Sequence, residues 1–210
     1  MLTKGVYIMG GRGSGGGKRS GGGGGLPKEI GVEDSQAWSE DPSLYQRLAD
    51  PARREATMEE LEDDFGFTFE EIKEHLSLAK SISNKAESQT VKEATLYRGE
   101  RFNSLSAARA KYKVGAEVST TQLTSYSTNK ETAKWYASFS DKTSVVITNT
   151  ATTGKFVGVR TRHYGETAGK GKEIIVPKGL TSTVKSTRYD KKTNTLYVTM
   201  ENSAKPKRKK

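Results

Sequence analysis

The chain has 210 residues, room for one compact domain with extensions, and only 32% of them are apolar, below the globular average. It has no cysteine, which excludes disulfide scaffolds, thiolate metal sites and cysteine nucleophiles, and two histidines, His75 and His163, are too few for a multi-histidine metal site. The net charge of +10 is uneven: residues 1–25 carry +4, 26–80 carry −9, 81–204 carry +10 and 205–210 carry +5. Two readings of the basic second half stand side by side. It attracts an anion such as a dinucleotide or a nucleic acid, or it neutralises the acidic part across an internal interface.

Residues 1–25 hold 12 of the 22 glycines and bury almost nothing, so they read as a flexible basic leader. No apolar run has membrane-spanning length, and the N-terminus lacks the apolar stretch of a secretory signal. Between residues 26 and 55, Pro27, Pro42 and Pro51 punctuate short apolar runs, which predicts one or two brief helices. Helices are predicted over Met58 to Phe65 and Thr68 to Ser83, broken at Gly66. Thr68 caps the second, with Glu70 and Glu71 in its first turn and Phe69, Ile72, Leu76 and Ala79 at helical spacing. From about Ala94 the pattern turns to strands: Thr95 to Arg98, Glu117 to Thr121, Ser144 to Thr148, Lys155 to Arg160, Glu173 to Val176, Thr181 to Thr187 and Thr195 to Met200. A helix over Lys130 to Ser138 interrupts them, with Ala133, Trp135, Tyr136 and Ala137 available to pack on the sheet. The sum is an α+β chain, helices first and then a mostly antiparallel sheet. Its expected parts are the leader (1–25), a helical extension (26–67), a catalytic domain (68–202) and a basic tail (203–210).

Three short strings carry candidate chemistry. Leu96-Tyr97-Arg98-Gly99 puts an arginine at a strand end beside a glycine that permits close backbone approach. Ser125-Tyr126-Ser127-Thr128 places hydroxyls at another strand end. Glu173-Ile174-Ile175-Val176-Pro177-Lys178-Gly179 opens an apolar strand with a carboxylate and closes it with a turn. Each alone has an ordinary explanation: a surface arginine, a helix-capping serine, a solvated glutamate. Two other strings are set aside. Gly165 to Lys170 is one residue short of a phosphate loop and is followed by Gly171, not Ser or Thr. The leader has too few arginines for an RGG segment.

In order, and about 27 and 48 residues apart, Arg98, Ser125 and Glu173 with their flanks resemble the R-S-E class of mono-ADP-ribosyltransferases, which includes clostridial binary toxins and Rho-modifying exoenzymes. The resemblance covers roughly residues 70–202. It implies an ADP-ribosyltransferase fold, with N-terminal helices packed on a split, mostly antiparallel sheet that encloses an NAD cleft. It also implies NAD as co-substrate without a metal, Arg98, Ser125 and Glu173 as catalytic residues, and Arg98, Gly99, Ser125, Ser127 and Phe139 on the dinucleotide. In such a site a guanidinium holds a phosphate bidentately. The carboxylate stabilises the oxocarbenium cation that forms as the nicotinamide leaves, and Ser125 hydrogen-bonds Glu173 to fix its rotamer. The helices over 56–83 are expected to form part of the cleft wall.

The chain departs from the family pattern at Gly171, two residues before Glu173, where relatives carry Glu or Gln. Tyr126 replaces the usual threonine, on a side chain expected to point outward. The loop from about Arg160 to Lys172 is the expected acceptor loop, with Tyr164, Glu166, Lys170, Gly171 and Lys172 as candidate residues. Its basic side chains suit a nucleic acid or an acidic protein surface better than an arginine side chain. The function expected is transfer of ADP-ribose to a macromolecular acceptor, protein or nucleic acid, by a toxin or a phage or mobile-element effector. The alternatives are an NAD glycohydrolase and a silent nucleotide- or nucleic-acid-binding relative. The expected location is the cytoplasm of the producing or target cell, or a virion, without membrane insertion; the oligomeric state stays open.

Overall fold

The computed structural model describes residues 30–139, 141–161 and 173–203. The leader, the basic tail and residues 162–172 of the expected acceptor loop lie outside them. Four helices come first: α1 (Val32–Glu40), α2 (Pro42–Ala49), α3 (Pro51–Asp63) and α4 (Phe69–Ser88). The prolines that read as breakers are helix starts. Pro42 and Pro51 sit in first turns, where a missing N–H goes unnoticed, and Asp41 and Asp50 cap Leu44 N and Ala52 N. The third helix therefore begins at Pro51 and not at Met58. It ends at Asp63, and Gly66, with a φ of 68°, suits the left-handed turn that follows, closed by Gly66 N to Glu62 O and Phe67 N to Leu61 O.

Helix α4 starts with a capping box in which Thr68 and Glu71 bond each other's backbone N–H. It runs past Ser83 to Ser88 because Ile82 and Ala86 continue its buried stripe after Ile72 and Ala79. Phe69, counted in that stripe from the sequence, is 67% exposed. These helices share one apolar cluster, from Ile30, Trp38 and Leu48 to Ile82, and it continues into Leu123, Val159 and Ile175 of the β half.

The β half contains β1 (Thr90–Val91), β2 (Thr95–Phe102), β3 (Glu117–Ser119), β4 (Thr124–Ser127), β5 (Thr143–Ala151), β6 (Phe156–Val157), β7 (Val159–Arg160), β8 (Glu173–Val176), β9 (Thr181–Asp190) and β10 (Thr195–Asn202). Two helices interrupt it, α5 (Leu105–Lys111) and α6 (Lys130–Ala137). The stretch expected as one strand, 155–160, divides at Gly158 into β6 and β7, which join different sheets. The main sheet has the order β3-β9-β10-β5-β2-β4-β8-β7, antiparallel at every junction except β10 with β5. The fold is α+β, as expected.

The sheet has a seam. Strand β2 pairs with β5 over eight residues, but with β4 through the single pair Tyr97–Ser127. Beyond that pair the strands part, so the sheet is two blocks, β3-β9-β10-β5-β2 and β4-β8-β7. The apolar filling is in two clusters, one within the larger block and one that bridges both. Val145, Ile147, Leu196 and Val198 cluster under α5 and Tyr112, whereas Leu96, Tyr126, Phe156, Ile174 and Val176 cluster beside the seam. Tyr126 is buried there, so the residue expected to point outward belongs to the core.

Helix α6 lies directly on β2. A Cβ at Gly99 would stand 2.1 Å from the Ala133 carbonyl oxygen and 2.8 Å from Ala137 N. Gly99 is thus required by the helix, and only small residues, Ala133 and Ala137, face it in burial. Trp135 and Tyr136 do not pack on the sheet; they stand 51% and 56% exposed. Because the obstacle at Gly99 is backbone, it cannot rotate away, and Gly99→Ala is expected to destabilise the fold by about 3 kcal/mol, the upper range for overpacking. Gly66→Ala, strained only by its φ, is expected to cost about 1 kcal/mol. Urea unfolding of both variants checks the order; equal losses would contradict the packing account.

Candidate active site

A cleft of about 1500 Å³ opens where the two blocks part. Its walls include Arg98, Gly99 and Glu100 of β2, Ser125 and Ser127 of β4, Glu173 of β8, and Trp135 and Tyr136 of α6. The first two helices close one side through Trp38, Ser39, Pro42 and Gln46. The helices over 56–83 line none of it; α3 and α4 back α1 and α2 and do not touch the opening. Burial of the acidic helical part against the sheet thus builds the cleft wall, but with different residues from those expected.

Arg98 lies mid-strand, not at a strand end. Its Nη1 donates to the Ser125 carbonyl at 2.7 Å, across the seam, and its Nε donates to Glu100 Oε1 at 3.0 Å. Arg98 therefore ties β2 to β4 just where the backbone ladder has a single pair. The other oxygen of Glu100 accepts from Lys111 Nζ at 3.0 Å and from the Tyr112 hydroxyl at 2.7 Å. Burial pushes the Glu100 carboxyl up, but Arg98 and Lys111 outweigh it, and the group ends below its ordinary value. The same surroundings, burial first and the Glu100 charge second, push the Tyr112 phenol up. Arg98 is thus held by a fixed carboxylate that is itself secured from two further sides.

Glu173 begins β8, opposite Ser127 in the β4–β8 ladder. Its carboxylate is not held by Ser125. Trp38 Nε1 donates to Oε1 at 2.9 Å, and Thr161 Oγ1 donates to Oε2 at 3.3 Å. In the ladder Ser125 pairs with Ile175, which leaves Ser125 and Glu173 diagonal neighbours on one face. Ser127 Oγ accepts from Asn129 N, next to the capped start of α6. Burial first, then the Glu173 charge, pushes the Tyr136 phenol up.

Other expected site residues fall elsewhere. Phe139 does not line the cleft; half exposed, it stacks edge-on to Trp135, with ring centroids 4.2 Å apart. It does not pack in the core, because the end of α6 carries it outward with Trp135 and Tyr136. Arg160, counted in the basic loop, is buried and paired with Glu93. Lys178 of the Pro-Lys-Gly turn reaches Asp50 at the start of α3. Tyr164, Glu166, Lys170, Gly171 and Lys172 lie outside the described residues. Among the described residues no group of three or more His, Cys, Asp or Glu could hold a metal ion, and no helix is long and apolar enough to cross a membrane.

The depressed Glu100 carboxyl fixes a pH dependence. A carboxylate with a lowered folded pKa contributes stability that is fully present above its unfolded value, about 4.5, and lost as the pH falls through the folded value. Glu100→Gln is therefore expected to be less stable than the parent at pH 7, and the gap between their urea midpoints to narrow steadily below about pH 4.5. A gap that stays constant to pH 3 would contradict this electrostatic account.

Sequence comparison finds no matching family model and no matching curated relative. Solved structures do match. The Vis toxin, an ADP-ribosyltransferase from Vibrio splendidus, is 18% identical with a TM-score of 0.53, over 83% of this chain and 75% of that one. A second Vis structure, in complex with agmatine, aligns with a TM-score of 0.50. An ADP-ribosyltransferase from Clostridium botulinum is 11% identical with a TM-score of 0.53, over 83% and 88% of the two chains. At these identities the likeness is one of fold, and it extends over most of each chain. The chain therefore has the fold of the ADP-ribosyltransferase toxins.

Proposed function

We propose that this chain cleaves NAD at the nicotinamide–ribose bond and transfers the ADP-ribose to a macromolecular acceptor, as a toxin or effector acting in the cytoplasm of a target cell. The observation that carries the reading is the convergence of Arg98, Ser125, Ser127 and Glu173 on one cleft in a chain with this fold. Arg98 commits Nε and one Nη1 hydrogen to the protein, and its partly exposed guanidinium retains N–H donors for a pyrophosphate oxygen. The negative Glu173 carboxylate takes a hydrogen bond from the ribose 2′-hydroxyl and stabilises positive charge at C1′. As the C1′–N bond breaks, its electron pair returns to the nicotinamide nitrogen, which becomes neutral. The acceptor nucleophile then bonds C1′ and loses its proton. The leaving group is cationic beforehand, so no general acid has to protonate it.

The acceptor is the less determined half of the reaction. Gly171, in place of the acidic or amide residue of relatives, favours water or a non-arginine nucleophile, so NAD glycohydrolysis is the second reading. Agmatine, bound in a Vis structure, is a guanidine, and such an acceptor is the counter-case that Gly171 argues against. Lys170 and Lys172 supply positive charge for an acidic protein surface or a nucleic acid.

Nicotinamide release from NAD, measured with and without cell lysate, tests the reading. The parent chain is expected to release nicotinamide, and Glu173→Ala to lower kcat by about a thousandfold, the scale of a lost transition-state electrostatic group. Arg98→Lys is expected to act mainly through KM, since an ammonium cannot make the bidentate contact. No release from the parent chain would overturn the proposal, and release without any labelled product would favour the glycohydrolase. Replacing Lys170 and Lys172 together by alanine should impair acceptor labelling and spare NAD hydrolysis; equal loss of both would remove the lysines from acceptor recognition.

A further inference from the structure

The Trp38 side chain is fully enclosed, at 0% exposure, yet it forms part of the cleft wall. Its indole N–H is a buried donor, which is costly unless paired, and its partner is Glu173 Oε1 at 2.9 Å. Thr161 Oγ1 donates to the second oxygen of the same carboxylate. A glutamate carboxylate rotates easily about its last torsion, and one donor on each oxygen fixes its plane. Each carboxylate oxygen has two lone-pair sites, so both retain one for a substrate hydroxyl.

The mount of Trp38 is rigid. Asp34, one turn earlier on α1, is buried and pairs with Lys85 of α4 while accepting from Ser81 at 2.9 Å. Near the start of the helix, Ile30 donates its N–H to the Arg160 carbonyl at 3.0 Å, and Thr161 N donates to the Glu173 carbonyl at 3.0 Å. Helix α1 and the Thr161 donor are thus joined to the same short run of β7 that flanks Glu173.

We infer that Trp38 is a positioning residue for the reaction: its indole N–H holds the Glu173 carboxylate in the orientation that receives the ribose. The inference rests on the reading of Glu173 as the group that stabilises the ribosyl cation. It gives the first helix a part in turnover and assigns to Trp38 and Thr161 the orienting duty that the family pattern suggests for Ser125.

The test removes the N–H while keeping the ring. In the full chain carrying Trp135→Phe, so that position 38 holds the remaining tryptophan, benzothienylalanine is substituted for tryptophan, exchanging N–H for sulfur at similar volume. Compared with the same chain containing tryptophan, kcat for nicotinamide release is expected to fall about tenfold or more, as misorientation of a reacting group predicts. KM for NAD should stay within about twofold and the melting temperature within a few degrees, because binding and packing are retained. Trp38→Phe should give the same split between kcat and KM, with a further loss of melting temperature from the cavity. Unchanged kcat in the analogue protein overturns the inference alone, as does a kcat loss matched by an equal rise in KM. No release from the unmodified chain overturns the reading of the site, and the inference with it.

Discussion

The structure turns on the seam between β2 and β4. The other strand junctions are backbone ladders of two or more residue pairs. Here a single pair, Tyr97–Ser127, carries the backbone contact, and the Arg98 guanidinium supplies a further bond across the gap to the Ser125 carbonyl. A sheet that parts leaves an opening with polar side chains on both lips, and beside it Leu96 and Ala151 pack with Tyr126, Ile174 and Val176 to hold the two blocks together. The arginine that closes the seam is also the cation at the back of the cleft. Glu100 makes this dual use possible: held by Lys111 and Tyr112, it fixes the Nε side of the guanidinium so that the rest keeps one direction. Preorganisation of this kind matters because a donor that need not reorient loses little when a ligand arrives.

The N-terminal helices belong to this arrangement and do not merely cap it. Their apolar cluster runs without a break into Val159 and Ile175, so the strand that starts with Glu173 is packed from behind by the helical part. The acidic excess of residues 26–80 is partly engaged in pairs that fix helix positions, among them Asp34 with Lys85, Arg47 with Glu60 and Asp50 with Lys178. Two of these join acidic helix ends to bases further along the chain, which bears on the two readings of the charge asymmetry. Part of the asymmetry is internal neutralisation, whereas Lys170 and Lys172 keep the anion-attracting reading in play.

Much of the fold was readable in local patterns. The capping pair Thr68 and Glu71, the β-rich runs after Ala94 and the helix beginning at Lys130 all announce themselves within a few residues. The order of Arg98, Ser125 and Glu173 likewise pointed to one site. What escaped depends on contacts between distant residues. Nothing near Trp38 in the sequence distinguishes it from a core tryptophan, since its partner lies 135 positions away. Tyr126 alternates as a strand residue should, but which face is buried is set by Leu96 and Ile174. Gly99 carries a close approach, as its type suggests, and the group that a Cβ there would meet is the backbone of α6. Helix α5 is not among the helices read from the sequence, although Ser104, which caps Ala107 N, is a local signal for its start.

The proposed function requires one guanidinium and one carboxylate, set on either side of a parted sheet, to hold the pyrophosphate and the nicotinamide ribose of the same dinucleotide. A crystal structure of the Glu173→Gln chain soaked with NAD tests it most directly, because slowed cleavage keeps the substrate whole. The expected result is a pyrophosphate oxygen within hydrogen-bond distance of Arg98 and the ribose 2′-hydroxyl on the residue-173 side chain, with Trp38 Nε1 still donating to that side chain. NAD bound away from the seam, or density for the ribose that does not touch residue 173, would contradict it.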